Sequence, residues 1–423
     1  MKIYFYDKKS HARWWYHSFV SFDVRDSNNF NGVNIIVIDP DEFHSSLDKY
    51  IKNPKLLDNL KECEVKIIFY FTDTFCFGIE ELKYVESIYE KYKLPRNSIN
   101  FITDSIQNDN KDYEKFEVLE LPRFPTGDCL NYQHLDLSKR LFDNIVTRDD
   151  GSSNRGDYFD MLREKYFTSF NRTPKPHRTI LFNFLSKYNL LDKGNVSYLW
   201  SISTTNSDAQ KNEMDNIGEK IGEHFRDFPE GLDGDAVSRP HSDIEINELK
   251  KILPYLFDTH CDNYLQKGNP GKMSLIPYFN SYFNICSMTK YTEENVTFDD
   301  KISKPMISFL PFIVVGDKNT LGVLHDWGFK TFHPYIDETY DNQLGFERMV
   351  SIQKEIYRLC NFSKPEIHKW YMNMTDIYKH NYNRLVEYLE TDLENLIRQF
   401  GDKILIQKHC NPGRSRKVPG RET

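Results

Sequence analysis

Apolar residues along this chain recur in two rhythms. Short runs rich in Ile, Val, Phe and Tyr alternate with stretches where apolar residues return every three or four positions. The first rhythm predicts buried strands and the second predicts helices that pack by one face. Lys2 to Tyr6, Val33 to Ile38 and Val65 to Phe71 are strand-like, the last ending in Thr72-Asp73-Thr74. Over 79–92, Ile79, Leu82, Val85, Ile88 and Tyr92 share one helical face; Pro95 stops that helix and Ile99 to Ile102 is the next strand. Strand, helix and strand at this spacing make a βαβ unit and imply a parallel sheet.

The polar, Gly/Ser/Asp-rich segment 146–158 reads as a linker. Beyond it, Tyr166 to Phe170 is a strand, Asn171 to Arg178 a Pro-rich turn, and Thr179 to Leu191 a helix with Leu181, Phe184, Leu185 and Tyr188 inward. Residues 203–245 are polar and read as an insertion or mobile loop, followed by a helix over Ile246 to Phe257. Ser281 to Cys286 is a strand. Asp299-Asp300-Lys301 then opens an amphipathic helix, Pro311 to Val315 is buried strand, and Gly316-Asp317 turns into a second helix closed by Gly328. Tyr378, Tyr382, Leu385, Leu389, Leu393, Leu396 and Phe400 predict one long amphipathic helix over 376–400. The tail from Asn411 is basic and Pro/Gly-rich, and is expected to be flexible. The expected organisation is a Rossmann-like domain over 1–150, a second α/β domain over 159–350, a helical segment over 351–402 and a tail over 403–423.

Composition narrows the class. At 423 residues, 39% of them hydrophobic, the chain exceeds one ordinary core, and two domains are expected. A net charge of −8 weighs against a broad nucleic-acid surface, although the tail cations Arg414, Arg416, Lys417 and Arg421 could contact phosphates. The seven cysteines are scattered, with no CxxC pair, so neither a zinc knuckle nor a disulfide framework is suggested and a reducing cytoplasm is the simplest compartment. No run of 18 apolar residues exists, so neither a membrane span nor secretion is expected.

Four places could carry chemistry. Asp299, Asp300 and Lys301 set carboxylates and an ammonium on a first helical turn, where riboses and phosphates bind in α/β proteins; acidic helix starts are equally ordinary capping. Arg172 and Arg178 flank the turn after a strand, and arginine suits phosphate oxygens. His177 beside them reads as structural. Gly316-Asp317-Lys318-Asn319 is a strand-to-helix loop, with Asn319 or Thr320 as helix cap and Gly316 as a source of backbone donors. Asp337-Glu338-Thr339-Tyr340-Asp341 packs three carboxylates without metal-loop spacing and reads as a solvated loop or helix start. For a general base, Asp39, Asp73 and Asp104 stand at strand ends, and Asp73 ends the most apolar strand.

Together these segments resemble the donor half of the α-1,3-fucosyltransferase type of glycosyltransferase. Tyr166 to Phe170 with Arg178, then Phe283-Asn284-Ile285-Cys286, Phe298-Asp299-Asp300-Lys301-Ile302 and Pro311-Phe312-Ile313-Val314-Val315-Gly316 follow that family's order, with Asp300 standing where the family has glutamate. Lys301-x-x-Lys304-Pro305, Gly328-Phe329-Lys330-Thr331-Phe332 and Asp337 to Asp341 also resemble uncharacterised glycosyltransferase-like proteins of phages and large viruses. The resemblance implies an α/β, GT-B-like fold: two facing Rossmann-like domains and a C-terminal bracing helix. It implies Arg178 and Lys301 on a donor diphosphate, Asp300 on the ribose, and inverting transfer to a glycan or other hydroxyl acceptor. No metal and no cofactor beyond the nucleotide-sugar are expected. Its rivals are a DNA-modifying glycosyltransferase, a non-catalytic nucleotide- or sugar-binding module, and a purely structural α/β protein.

Overall fold

Each β-rich run that could be read in the sequence becomes a strand in a parallel sheet. The computed structural model describes residues 3–5, 35–38, 47, 51–62, 66–71, 79–95, 98–103, 105–107, 118–120, 145–147, 153–155, 159–171, 174–198, 243–253, 276–291, 295–298 and 300–388. The expected sites Asp73, Arg172 and Asp299, with Asp39 and Asp104, lie outside these residues, as do most of the 203–245 segment and the tail. The chain divides into two compact units, Met1–Ser105 with Asp109–Leu121 and Leu389–Thr423, and Ile106–Asn108 with Pro122–Tyr388.

In the first unit the described strands β1 (Ile3–Phe5), β2 (Ile35–Ile38), β3 (Lys66–Phe71), β4 (Ile99–Thr103) and β5 (Val118–Glu120) pair in parallel in that spatial order. Helix α1 (Pro54–Lys61) starts on a proline and is capped by Asn53, whose Oδ1 accepts the Leu56 N–H at 3.3 Å. Helix α2 (Ile79–Tyr92) buries Leu82, Val85, Ile88 and Tyr89. Tyr89 rather than the expected Tyr92 turns inward, because its hydroxyl reaches the Ile99 carbonyl at 3.0 Å.

The second unit holds a four-stranded sheet, β7-β6-β8-β9, formed by β6 (Lys165–Asn171), β7 (Gly194–Tyr198), β8 (Ser281–Ser287) and β9 (Phe312–Val315), all parallel. Helix α3 (Pro176–Lys187) begins before the expected Thr179, since Pro176 is pre-set for a first helical position. It ends before Leu191, since Asn189 takes the left-handed conformation at φ 54°. Ile180, Leu181, Phe182, Phe184 and Leu185 are all buried, so α3 is enclosed on more than one face. The segment around the expected linker carries two short antiparallel strands, Ile145–Thr147 and Ser153–Arg155. The helix expected from Ile246 runs over Asp243–Ile252. Next come α4 (Asp300–Ile307), α5 (Thr320–Asp326), α6 (Gly345–Cys360), α7 (Lys364–Met372) and α8 (Thr375–Glu387). Helix α6 runs through the domain limit expected at 350. Helix α8 is the described part of the predicted C-terminal helix; the remainder lies outside the described residues.

Two adjacent residues, remote from both in sequence, secure the outer edge of β9 and the start of α5. The Tyr340 hydroxyl accepts the Val314 N–H at 3.2 Å, which covers part of the strand edge. Asp341 Oδ2 accepts the Leu321 and Gly322 N–H groups of α5 at 3.0 and 3.3 Å. The cap of α5 is therefore Asp341; Asn319, at φ 64°, makes no side-chain cap bond, and the Thr320 hydroxyl instead donates to the Asp317 carbonyl at 2.6 Å. Arg348 crosses behind, with Nη2 at 2.7 Å from the Asp317 carbonyl and 3.4 Å from Asp341 Oδ1. Burial raises the Asp341 carboxyl above its ordinary range, while Arg348 and the α5 amides work against that rise. Further out, Asn381 of α8 holds the Lys330 N–H and carbonyl at 2.8 Å each.

Asp341→Ala leaves a buried guanidinium short of its carboxylate and uncaps α5, so urea unfolding should show a loss of about 3–5 kcal/mol. Asp337→Ala, a few residues away at an exposed position, should cost under about 1 kcal/mol; equal losses would mean that Asp341 is not a structural anchor.

Candidate functional site

The order of strands decides where this fold can bind a ligand. In the second unit the chain runs from β6 outward to β7, then returns to the other side of β6 for β8 and β9. Neighbouring connections leave in opposite directions between β6 and β8, and ligands of open α/β sheets bind at the carboxyl ends beside such a reversal. Among the described strands of the first unit the order never reverses.

The strands also part at that point. β6 stays paired with β7 to its last residue, Asn171 on Tyr198, and β8 with β9 to Ser287 on Val315. The pairing between β6 and β8 ends earlier, at Asn284 on Thr168. There the Asn284 side chain takes over: its Nδ2 donates to the Thr168 carbonyl at 3.0 Å. Cys286 Sγ lies 2.8 Å from Asn284 Oδ1 and 3.4 Å from the Lys301 carbonyl, and its single hydrogen serves one acceptor at a time. The Lys301 carbonyl needs an outside donor because Pro305, four residues on, has no N–H to give it. The Phe283-Asn284-Ile285-Cys286 strand and the Lys301 to Pro305 turn are thus physically joined.

Met288, just past β8, is where the site residues converge. Its N–H donates to the Val315 carbonyl at 2.9 Å. Its carbonyl accepts from Arg178 Nη2 at 2.7 Å and His177 Nε2 at 3.0 Å, and Arg178 Nη2 also reaches the Ser287 carbonyl at 3.2 Å. Gly316 lies beneath its side chain; a Cβ there would stand 2.5 Å from Met288 Cγ. Gly316 is therefore required for close packing against Met288. Asp300 and Lys301 form the first turn of α4. Lys301 is half-buried and near enough to His177 to act on its charge.

His177 is 4% exposed. Its ring stacks on Tyr291 at 5.5 Å, and the Arg348 guanidinium also lies 5.4 Å from the Tyr291 ring centre. Burial holds the imidazole well below its usual pKa, and the Arg178, Lys175 and Lys301 charges push the same way, while the Met288 carbonyl opposes them. His177 is neutral at pH 7, with its proton on Nε2. Among the described residues, Lys175, Arg178 and Lys301 all lie close enough to His177 to act on its charge. In the sequence the two last belong to separate helix starts.

The Asp337 to Asp341 cluster is spent elsewhere. Asp337 Oδ1 accepts from Thr339 N and Oγ1 at 3.1 and 2.7 Å, Glu338 Oε1 from Phe332 N at 2.6 Å, and Asp341 caps α5. Each carboxylate closes a different stretch of backbone. Among the described residues no group of three His, Cys, Asp or Glu side chains is arranged to hold a metal ion, and no described helix is long and apolar enough to cross a membrane.

Sequence reasoning selected Arg178, Asp300, Lys301 and Gly316 and passed over Met288, Asn171 and Ser287. A polar Asn284 inside an apolar strand was the available signal for the parting of the strands, since a buried amide must find partners.

No protein-family model and no curated protein matches the chain. Among solved structures it is similar to an alpha1,3-fucosyltransferase, with 11% identity, TM-score 0.40, and 93% of this chain and 90% of that one covered. A structure of alpha1,3-fucosyltransferase with GDP gives 12%, 0.41, 97% and 93%. The N-terminal domain of Candida albicans trehalose-6-phosphate phosphatase gives 8%, 0.42, 96% and 96%. Overlaps this loose assign no activity.

His177 carries a folded-state pKa below its unfolded value, so the unfolded chain binds the extra proton first as pH falls. Stability should be full above about pH 6.5 and fall below it, by up to about 1.4 kcal/mol per pH unit, until the folded-state pKa is reached. Thermal melts at pH 7.5 and 5.5 should show this loss in the wild type and a smaller one in His177→Gln, which retains a donor for Met288 but does not titrate. Equal losses in both proteins would remove His177 from the acid response.

Proposed function

We propose that the protein is a glycosyltransferase of GT-B type that moves a sugar from a nucleotide-sugar to a hydroxyl acceptor without a metal ion. This reading is supported by Arg178, at the start of α3, bonding the carbonyls at the end of β8, and by Arg178 and Lys301 both lying close enough to His177 to act on its charge. A diphosphate leaving group needs its developing charge neutralised, and fixed cations beside helix N-termini supply that. Arg178 is anchored by Nη2 to two strand-end carbonyls, so the guanidinium fork is oriented before any ligand arrives. Lys301 supplies the second cation and Asp300, at the start of α4, an acceptor for ribose hydroxyls. Arg172, between β6 and α3 in the sequence, is proposed to add a further cation to the same anion. Asp73, in the amino-terminal half of the chain, is the proposed general base that takes the acceptor's proton while the acceptor oxygen displaces the nucleotide.

A thermal-shift panel of GDP, UDP, CMP, ADP and their sugar conjugates, with and without EDTA, tests the reading. One carrier should stabilise the wild type by about 2.7 kcal/mol at a hundredfold excess over Kd. EDTA should leave the shift unchanged and Lys301→Ala should abolish it. No shift with any nucleotide would sink the donor site; a shift that EDTA removes would sink metal independence alone.

A further inference from the structure

The parted ends of β6 and β8 hold polar groups with nothing to bond to. Three residues beyond their last pair, Asn284 on Thr168, the strands reach Ser287 and Asn171. Ser287 is 1% exposed and Asn171 5%. Ser287 Oγ and Asn171 Oδ1 are both buried without a hydrogen-bond partner, while Asn171 Nδ2 faces Ser169 Oγ at 3.4 Å. A buried acceptor and a buried hydroxyl left unmatched cost stability, and folds retain such groups chiefly where a ligand or bound water completes them. Both stand at strand ends beside the reversal of strand order, and the Ser287 carbonyl is itself an anchor for Arg178.

We infer that Asn171 and Ser287 form a neutral subsite that receives a hydroxyl group of the donor, next to the cations that hold its diphosphate. This rests on the donor-site reading and adds to it a second, uncharged point of recognition. Asn171 Oδ1 accepts the ligand's O–H, and the Ser287 hydroxyl turns to donate to the ligand oxygen or to accept from a neighbouring hydroxyl. The same chemistry is offered by the ribose and by the transferred sugar. Mono-deoxygenated ligands would lose most here, because a site built around a hydroxyl leaves its own groups unpaired when that hydroxyl is missing.

Calorimetric titration of wild type, Ser287→Ala and Asn171→Ser with GDP, UDP, GDP-mannose and UDP-glucose tests this. For whichever carrier the wild type binds, both variants should weaken Kd by about tenfold. Weakening for the free diphosphate and its sugar alike places the ribose in the subsite, and weakening for the conjugate alone places the sugar there. Ser287→Thr, which keeps the hydroxyl, should restore affinity, and this separates recognition from a folding defect. Unchanged affinity in Ser287→Ala and Asn171→Ser, with tight binding by the wild type, would overturn the inference while leaving the donor site standing. A wild type that binds no nucleotide would overturn both.

Discussion

The Asn284 amide is the point on which the second unit turns. In the middle of a buried strand it donates to the Thr168 carbonyl, in place of a further backbone pair between β6 and β8. Backbone groups inside a sheet must be bonded somewhere, so two strands can separate only if a side chain takes up the bonds they give up. With that replacement made, the outer pairs β6–β7 and β8–β9 run on to their ends while the central pair opens. The opening coincides with the reversal of strand order, where helix starts from both sides face one another. Cys286 extends the same linkage to the first turn of α4, whose Lys301 carbonyl has lost its helical donor to Pro305.

Around this opening, charge is divided by use. The carboxylates of the 337–341 loop, with Glu355, bind backbone N–H groups or arginines that the fold itself needs. Arg348 is paired inward with Asp341 and lies against Tyr291. Arg178 instead bonds the carbonyls at the end of β8, and Lys175 and Lys301 lie close enough to act on a histidine kept uncharged by burial and by those same cations. A neutral histidine there removes one positive charge from a crowded group and still donates to Met288.

The two units contrast in a way that bears on chemistry. Both have parallel sheets with apolar strands, and both bury helices against them. The described strands of the first follow chain order across the sheet, whereas those of the second reverse. Only the second therefore meets the topological condition for a strand-end crevice among the described residues. The path of the chain, not the apolar character of the strands, sets which sheet can form such a crevice.

Local order could be read from the chain by itself. Alternation and helical period placed α2 over 79–92 and set most strands to within a residue or two, because burial on one face imposes a repeat that survives in sequence. Pro176 and Asn189 moved the ends of α3, since a proline's fixed φ and an asparagine's tolerance of positive φ act locally and are only weakly encoded in hydrophobic pattern. Arg178, Asp300 and Lys301 were visible as helix-start residues, and the resemblance alone put Arg178 and Lys301 on one diphosphate; that both act on the charge of a buried His177 was not legible. Asp341 as the cap of α5, Tyr340 on the edge of β9, and Asn171 and Ser287 left unmatched at the parted strands were decided only in three dimensions. Each depends on contacts between residues far apart in the chain, and such contacts leave no period and no spacing for a sequence to display.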